Sequence, residues 1–413
     1  MKYNFDAQID RLGTHSVKWD FLKETYGRED LLPFTIADSD FAVAPEIVQA
    51  LIDRVNRPAY GYTSWDQSEF RTVIAQWFGQ QFATEIDKRS IVYGPNVIYM
   101  IKTILLLLEQ KREGKTFGII LQNPAYEGFI NLLRALGYEI AVWDFVADRG
   151  DLAQLKTLCA CSDNAVLLLA HPHNPTGIEL SADELSAMLQ ICQQHDIFVI
   201  SDEIHMDFVY QPLVHTPIIK VAAELKMIER VALISSGSKT FNISGLQCGY
   251  MVLPWEDLRD EYVHQLRYAD NFYGASIMGL TALMAGYEYG TSWLDAMKTY
   301  VASTIDWIEQ FIVHENLPIG FQRPDATYII WLDVSRFGLS EDEMMEQLVM
   351  HGVVLARGSH YQLLDEGSVY VRVNISTNRE RVKQVFYALQ AINQTVKGDE
   401  KEESIVEFDK HII

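Results

Sequence analysis

The stretch SSGSKTFNISG, residues 235–245, continues an apolar run, VALIS, at 231–235. A short apolar run closed by Ser and Gly reads as a buried strand that ends in a turn. Lys239 therefore stands among small residues at the carboxyl end of a strand. A lysine there either reaches for solvent or is held inside for a chemical reason. Taken alone it favours the surface, so its neighbours must decide.

Outward from this point the pattern repeats. KTFGIILQN (115–123), YEIAVWDF (138–145), NAVLLLAHP (164–172), DIFVISDE (196–203) and RVALISSG (230–237) all read as buried strands. Between them AYEGFINLLRALG (125–137), DLAQLKTLCA (151–160) and SADELSAMLQICQQH (181–195) carry helical spacing. Ser181 with Glu184 forms a capping box at the start of the last helix. This alternation predicts an α/β fold, a mostly parallel sheet sandwiched by helices.

From about residue 290 the pattern changes. Helical stretches at 291–315 and 340–352 flank the strand-like pieces TYIIWLDV (327–334) and SVYVRVNIS (368–376), and a helix follows near 378–394. A smaller α+β unit is expected. The predicted divisions are an N-terminal arm with part of the small domain (1–49), a large domain (50–288), a C-terminal small domain (289–395) and a loosely docked charged tail (396–413).

Composition excludes several classes. The 413 residues carry 34 Lys and Arg against 56 Asp and Glu, a formal charge of −22, with no basic cluster for a phosphate backbone. Nucleic acid is not an expected partner. Apolar runs stop well short of the ~18 residues of a membrane span. The N-terminus lacks a secretory pattern, and four scattered cysteines suit reduced thiols, so a cytoplasmic location is expected. His171 and His173 form an H-x-H pair, but no third ligand stands at readable spacing, and no metal is expected.

In an open parallel sheet, ligands bind beyond the carboxyl ends of the strands. Asn174 in HPHNPTG, Asp202 and His205 in SDEIH, and Lys239 with Ser236 and Ser238 fall at such ends. GPNVIYM (94–100) adds a glycine turn leading into a helix whose first N–H groups suit a phosphate. An amine, a carboxylate, a phosphate site and an aromatic face (Tyr126 in NPAYEGF) are what pyridoxal phosphate requires.

Eight segments in order now carry a resemblance. They are LPFTIADSDF (32–41), YGYTSW (60–65), VYGPNVIYM (92–100), NPAYEGF (123–129), HPHNPTG (171–177), VISDEIHMDF (199–208), SGSKTFNISGL (236–246) and VRVNIS (371–376). The chain resembles the fold-type I pyridoxal-phosphate enzymes of the aspartate aminotransferase superfamily. More narrowly it is similar to the MalY/PatB group of cystathionine β-lyases and cysteine C–S lyases.

The resemblance implies that Lys239 carries the cofactor, Asp202 pairs with its ring nitrogen, Asn174 bonds its phenolic oxygen and Tyr126 stacks on the ring. It further implies that Gly94, Asn96, Val97, Ser236 and Ser238 hold the phosphate, with Tyr62 from a partner subunit and His205 nearby. Arg372 is then expected to take the α-carboxylate of an amino-acid substrate, with Ala37 and Asp38 beside it. A homodimer with shared active sites is implied too. Tyr60 and Tyr62 are not separable by the match; Tyr62 is chosen.

Two departures from the transaminase pattern stand out. His205 replaces a tyrosine three residues after the aspartate, and Gln247 replaces an arginine eight residues after the lysine. Both match the lyase group. The expected reaction is β-elimination of a thiolate from cystathionine or a cysteine S-conjugate. An amino-acid transaminase, or a protein of this fold kept for binding or regulation, remains an alternative.

Overall fold

A strand buried on both faces has to be apolar along its whole length, and the predicted central strands meet that demand. The computed structural model describes residues 3–364 and 367–409. Its strands in chain order are β1 (Leu32–Pro33), β2 (Ile91–Gly94), β3 (Gly118–Asn123), β4 (Ile140–Asp144), β5 (Asn164–Ala170), β6 (Phe198–Asp202), β7 (Val231–Ser235) and β8 (Gly249–Val252). The C-terminal unit adds β9 (Gly320–Phe321), β10 (Ile329–Asp333), β11 (Val353–Val354), β12 (Ala356–Arg357) and β13 (Tyr370–Asn374).

All five predicted strands lie in one seven-stranded sheet, ordered β2-β8-β7-β6-β5-β3-β4. Its pairs are parallel except those made by β8, which runs antiparallel to both β2 and β7. β2 and β8 were not foreseen as strands: each has only four residues and carries a glycine. The carboxyl ends of β2, β3, β5, β6 and β7 therefore share one edge, at Gly94, Asn123, Ala170, Asp202 and Ser235. The capping box at Ser181 forms as predicted and opens the helix Ala182–Gln194.

The second sheet runs β12-β13-β10-β9 and is antiparallel. β1 pairs in parallel with β11, tying the N-terminal arm to the C-terminal unit. Two expected boundaries need correction. The helix Pro45–Val55 crosses residue 49 and packs on the helix Ile277–Tyr289, so a division at 49/50 would cut a helix; we propose 44/45 instead. The last helix, predicted to stop near 394, runs unbroken from Arg379 to Asp409. Its continuation is rich in Lys and Glu, which favour helix, and contains no proline. Residues 410–413 of the predicted tail lie outside the described residues.

Candidate active site

A cavity of about 350 Å3 opens at the shared strand edge. Its lining includes Ala37, Asn96, Val97, Tyr126, Asn174, Asp202, His205, Ser236, Ser238, Lys239 and Arg372. Residues up to 336 positions apart, Ile36 and Arg372, thus converge on one space.

Lys239 lies in a short helical turn, Gly237–Thr240, capped by the Ser236 hydroxyl, which accepts the Ser238 N–H at 3.1 Å. Behind it the buried Asp207 accepts from Thr240 Oγ1 at 2.6 Å and from Trp77 Nε1 at 2.9 Å, fixing the turn. The half-buried Lys239 directs Nζ to the carbonyl of Ala37, 2.5 Å away. Burial pulls this amine down to about 8; Asp38 and Asp202 oppose the drop, while Arg372 reinforces it. The lysine is therefore inside.

Asp202 closes β6, and the one hydrogen bond to its carboxylate among the described residues is from Ile204 N–H to Oδ1, 3.0 Å. Burial raises its carboxyl to about 7, against the pull of the Ile204 N–H and Lys239. His205 is pushed down to about 3 by burial and by the charges of Lys239 and Arg372. It is a neutral imidazole, and its buried Nδ1 has no hydrogen-bond partner among the described residues.

Arg372 is 2% exposed on β13. Nη2 donates to the Thr35 carbonyl at 2.5 Å and Nη1 to Asn174 Oδ1 at 3.4 Å, while Nε is buried without a partner. The guanidinium lies 4.6 Å from the Tyr361 ring centroid. No carboxylate among the described residues pairs with it. A buried cation left in this state needs an anion.

At the opposite end, Asn96 caps the helix Val97–Lys111 by accepting the Tyr99 N–H at 2.9 Å. The Val97 and Ile98 N–H groups border the cavity with no partner among the described residues, the state of a helix N-terminus ready for phosphate. Gly94 faces Gly249 across β2 and β8, and a Cβ there would come 2.3 Å from Met100 Cγ. It shapes the turn rather than lining the cavity. Ser236 donates its own proton to the Cys248 carbonyl at 2.6 Å. Gln247 accepts from Asn96 Nδ2 at 3.3 Å and also lines the space. The half-buried Tyr126 leans over Gly128, where a Cβ would come 2.4 Å from its ring.

Besides Gly94, two expected residues stand outside the lining. Asp38 is not in the lining; its carboxylate pairs with Arg11 at 2.7 Å and Lys18 at 3.6 Å. It thus straps the N-terminal arm, and that arm carries the Ala37 carbonyl. Tyr62 is 99% exposed and absent from its own chain's cavity. Residues not anticipated are Thr35 and Tyr361, which hold the Arg372 fork, and Ile36, Glu127 and Ser244 in the lining. Nothing in local spacing marks them.

The donor set fits pyridoxal phosphate. A depressed amine, an under-bonded carboxylate, open helix N–H groups and an unpaired guanidinium face one space. No helix among the described residues is long and apolar enough to cross a membrane.

Comparison with known proteins agrees. The chain is 34% identical to protein MalY of Escherichia coli K12, over 92% of this chain and 96% of that protein. It is 31% identical to the cystathionine beta-lyase PatB of Bacillus subtilis 168, over 90% of this chain and 95% of that one. A pyridoxal-phosphate-bound structure from Clostridium difficile 630 superposes with a TM-score of 0.85 at 28% identity, covering 95% of this chain and all of that one. The sequence profile of aminotransferase class I and II matches residues 29–389, and the chain belongs to that family.

Proposed function

We propose that the chain catalyses β-elimination of a sulfur leaving group from cystathionine or a cysteine S-conjugate, releasing thiol, pyruvate and ammonia. One observation carries the reading: Lys239, Asp202 and a buried Arg372 without a carboxylate partner border the same cavity. The likeness to PatB, a cystathionine beta-lyase, favours the lyase outcome over transamination.

Pyridoxal phosphate, when bound, supplies an aldehyde that links to amines and a ring that takes up the electron pair of a broken Cα–H bond. The chain's residues do the rest. Arg372 would receive the substrate α-carboxylate with a fork already oriented by Thr35 and Asn174. Lys239 Nζ, held near 8, has a neutral fraction at neutral pH and accepts the α-proton as general base. Asp202 would hold a proton at the ring nitrogen, since a cation placed against its carboxylate favours the ionised form there. Tyr126 would cover the ring, and the Val97–Ile98 amides with Ser238 would take the phosphate, aided by the helix dipole. Neutral Gln247 leaves that charge to these groups.

We further propose a cytoplasmic homodimer in which the exposed Tyr62 reaches the partner's phosphate site. The four cysteines are free thiols, which supports the compartment.

The test is an assay of purified protein with cystathionine, with and without an added 2-oxo acid. Pyruvate and thiol formed without the oxo acid are the expected outcome. Turnover only in its presence would replace the lyase by a transaminase.

A further inference from the structure

Asp202 and Glu203 are consecutive residues at the end of β6, and successive strand side chains point to opposite sides. Asp202 faces the cavity. Glu203 enters a sealed cluster on the other side. His215 lies between two carboxylates, with Nδ1 2.9 Å from Glu179 Oε1 and Nε2 2.9 Å from Glu203 Oε2. His171, the first residue after β5, brings Nε2 to 3.6 Å from that same Glu179 oxygen. The two imidazole rings are 4.5 Å apart, and the Phe82 ring packs 5.4 Å from His215. None of the four polar side chains belongs to a residue more than 6% exposed.

We propose that His171, Glu179 and His215 bind one divalent cation of the zinc type, with Glu203 orienting His215 from behind. Two imidazoles and one carboxylate are a donor set for zinc rather than for calcium or magnesium, which take oxygen ligands. One donor atom from each residue lies within 4.8 Å of the others. Tetrahedral ligands about 2.0–2.1 Å from zinc stand roughly 3.3 Å apart. The two separations to Glu179 Oε1, 2.9 and 3.6 Å, bracket that figure, and the third, between the two imidazoles, lies within 4.8 Å, so side-chain shifts are needed to close the ligands on one ion. The Thr216 carbonyl, 3.2 Å from His171 Nε2, offers a fourth oxygen.

Glu203 takes the second nitrogen of His215, the carboxylate–histidine arrangement that fixes the ligating tautomer. It is held there by Ser201 Oγ at 2.9 Å and the Ile218 N–H at 3.0 Å. Glu179 Oε2 is buried with no hydrogen-bond partner of normal geometry among the described residues. Two buried carboxylates are balanced in full by a divalent cation and two neutral imidazoles, whereas one imidazolium balances only one of them.

The cation would clamp three segments of chain, just after β5, before the helix Ala182–Gln194 and before the helix Ile218–Glu224, at the edge that carries Asp202. His171 N–H already donates to the Asp202 carbonyl at 2.9 Å. Of the H-x-H pair, which carried no expectation of metal, only His171 joins the cluster; His173 bonds Thr176 Oγ1 at 2.7 Å and the Pro124 carbonyl at 2.9 Å, outside it.

The experiment uses holoenzyme stripped with a chelator and titrated with Zn2+ alone. One zinc retained per chain by elemental analysis, with a rise in Tm of about 2–4 °C at saturation, is the expected result. His171→Gln and Glu179→Gln should each weaken zinc binding at least tenfold, and Glu203→Gln by roughly 10–100-fold. The cofactor's absorbance reports that each variant is folded. Co2+ in place of Zn2+ should give the intense visible bands of a tetrahedral site. Cofactor-loaded protein that retains no zinc and melts unchanged would overturn the proposal, leaving His215 bridged by a proton alone. Zinc uptake unaltered in both His171→Gln and Glu179→Gln would overturn it too, by placing the metal elsewhere.

Discussion

Asp202 and Glu203 share a strand end, a charge type and near-complete burial, yet their surroundings are opposite. Glu203 is met by His215, Ser201 and the Ile218 amide. Asp202 has a single backbone N–H and an otherwise open carboxylate beside Lys239. A fully partnered buried carboxylate holds structure together; an under-partnered one keeps a demand that a ligand can meet. The cavity side of β6 is thus built for chemistry and the far side for rigidity.

The contrast can be broken residue by residue. The largest effect is expected from Lys239→Ala, which removes both the cofactor linkage and the base. Pyruvate formation should fall by about 10³–10⁴-fold or more, with the cofactor's absorbance lost and circular dichroism retained. Arg372→Lys keeps a charge but loses the fork. Its kcat/KM should drop on the order of 10²-fold, mainly through KM, as read in initial-rate kinetics.

On the rigid side, Glu203→Gln in cofactor-free, metal-free protein should cost about 1.5–3 kcal/mol in denaturant unfolding, because the Ser201 hydroxyl, the Ile218 N–H and His215 Nε2 lose a charged acceptor. The paired variant sharpens the comparison: Asp202→Asn should abolish most turnover without a comparable loss of stability.

The smallest effect is a pH slope. Asp202 has a folded value near 7, raised above its ordinary 3.8. The folded state therefore holds more protons across that window, so this contribution to stability is present at low pH and fades as pH rises to 7. Because the carboxylate borders an open cavity, the size is about 1–2 kcal/mol. The stability difference between cofactor-free wild type and Asp202→Asn, measured from pH 4 to 8, should move in the variant's favour. Lys239, depressed from 10.5 to about 8, has the opposite sign between those values.

Much of the cavity was legible in sequence because its residues sit at ends of recognisable elements. Lys239 and Asp202 follow apolar runs, Arg372 alternates with buried valines, and Asn96 precedes a helix. Asp38 stands outside the lining because its carboxylate pairs with Arg11 and Lys18, 27 and 20 positions earlier in the chain, partners that the spacing in IADSDF does not announce. Thr35 serves through a backbone carbonyl, for which residue type carries no signal. β8 was missed because four residues that insert antiparallel between β2 and β7 show no pattern of their own.

Sequence by itself determined the alternation of strands and helices, the edge at which they present their polar ends, and the amine and acid placed there. Periodicity reports which face of a segment is buried, and that is a local property of the chain. Only the tertiary structure decided that the arm's Ala37 carbonyl meets Lys239, that Arg372 is sealed in without an anion, and that His171, Glu179 and His215 converge behind Asp202. Those contacts join residues far apart in the chain, and they exist because packed elements, not sequence spacing, set the distances between them.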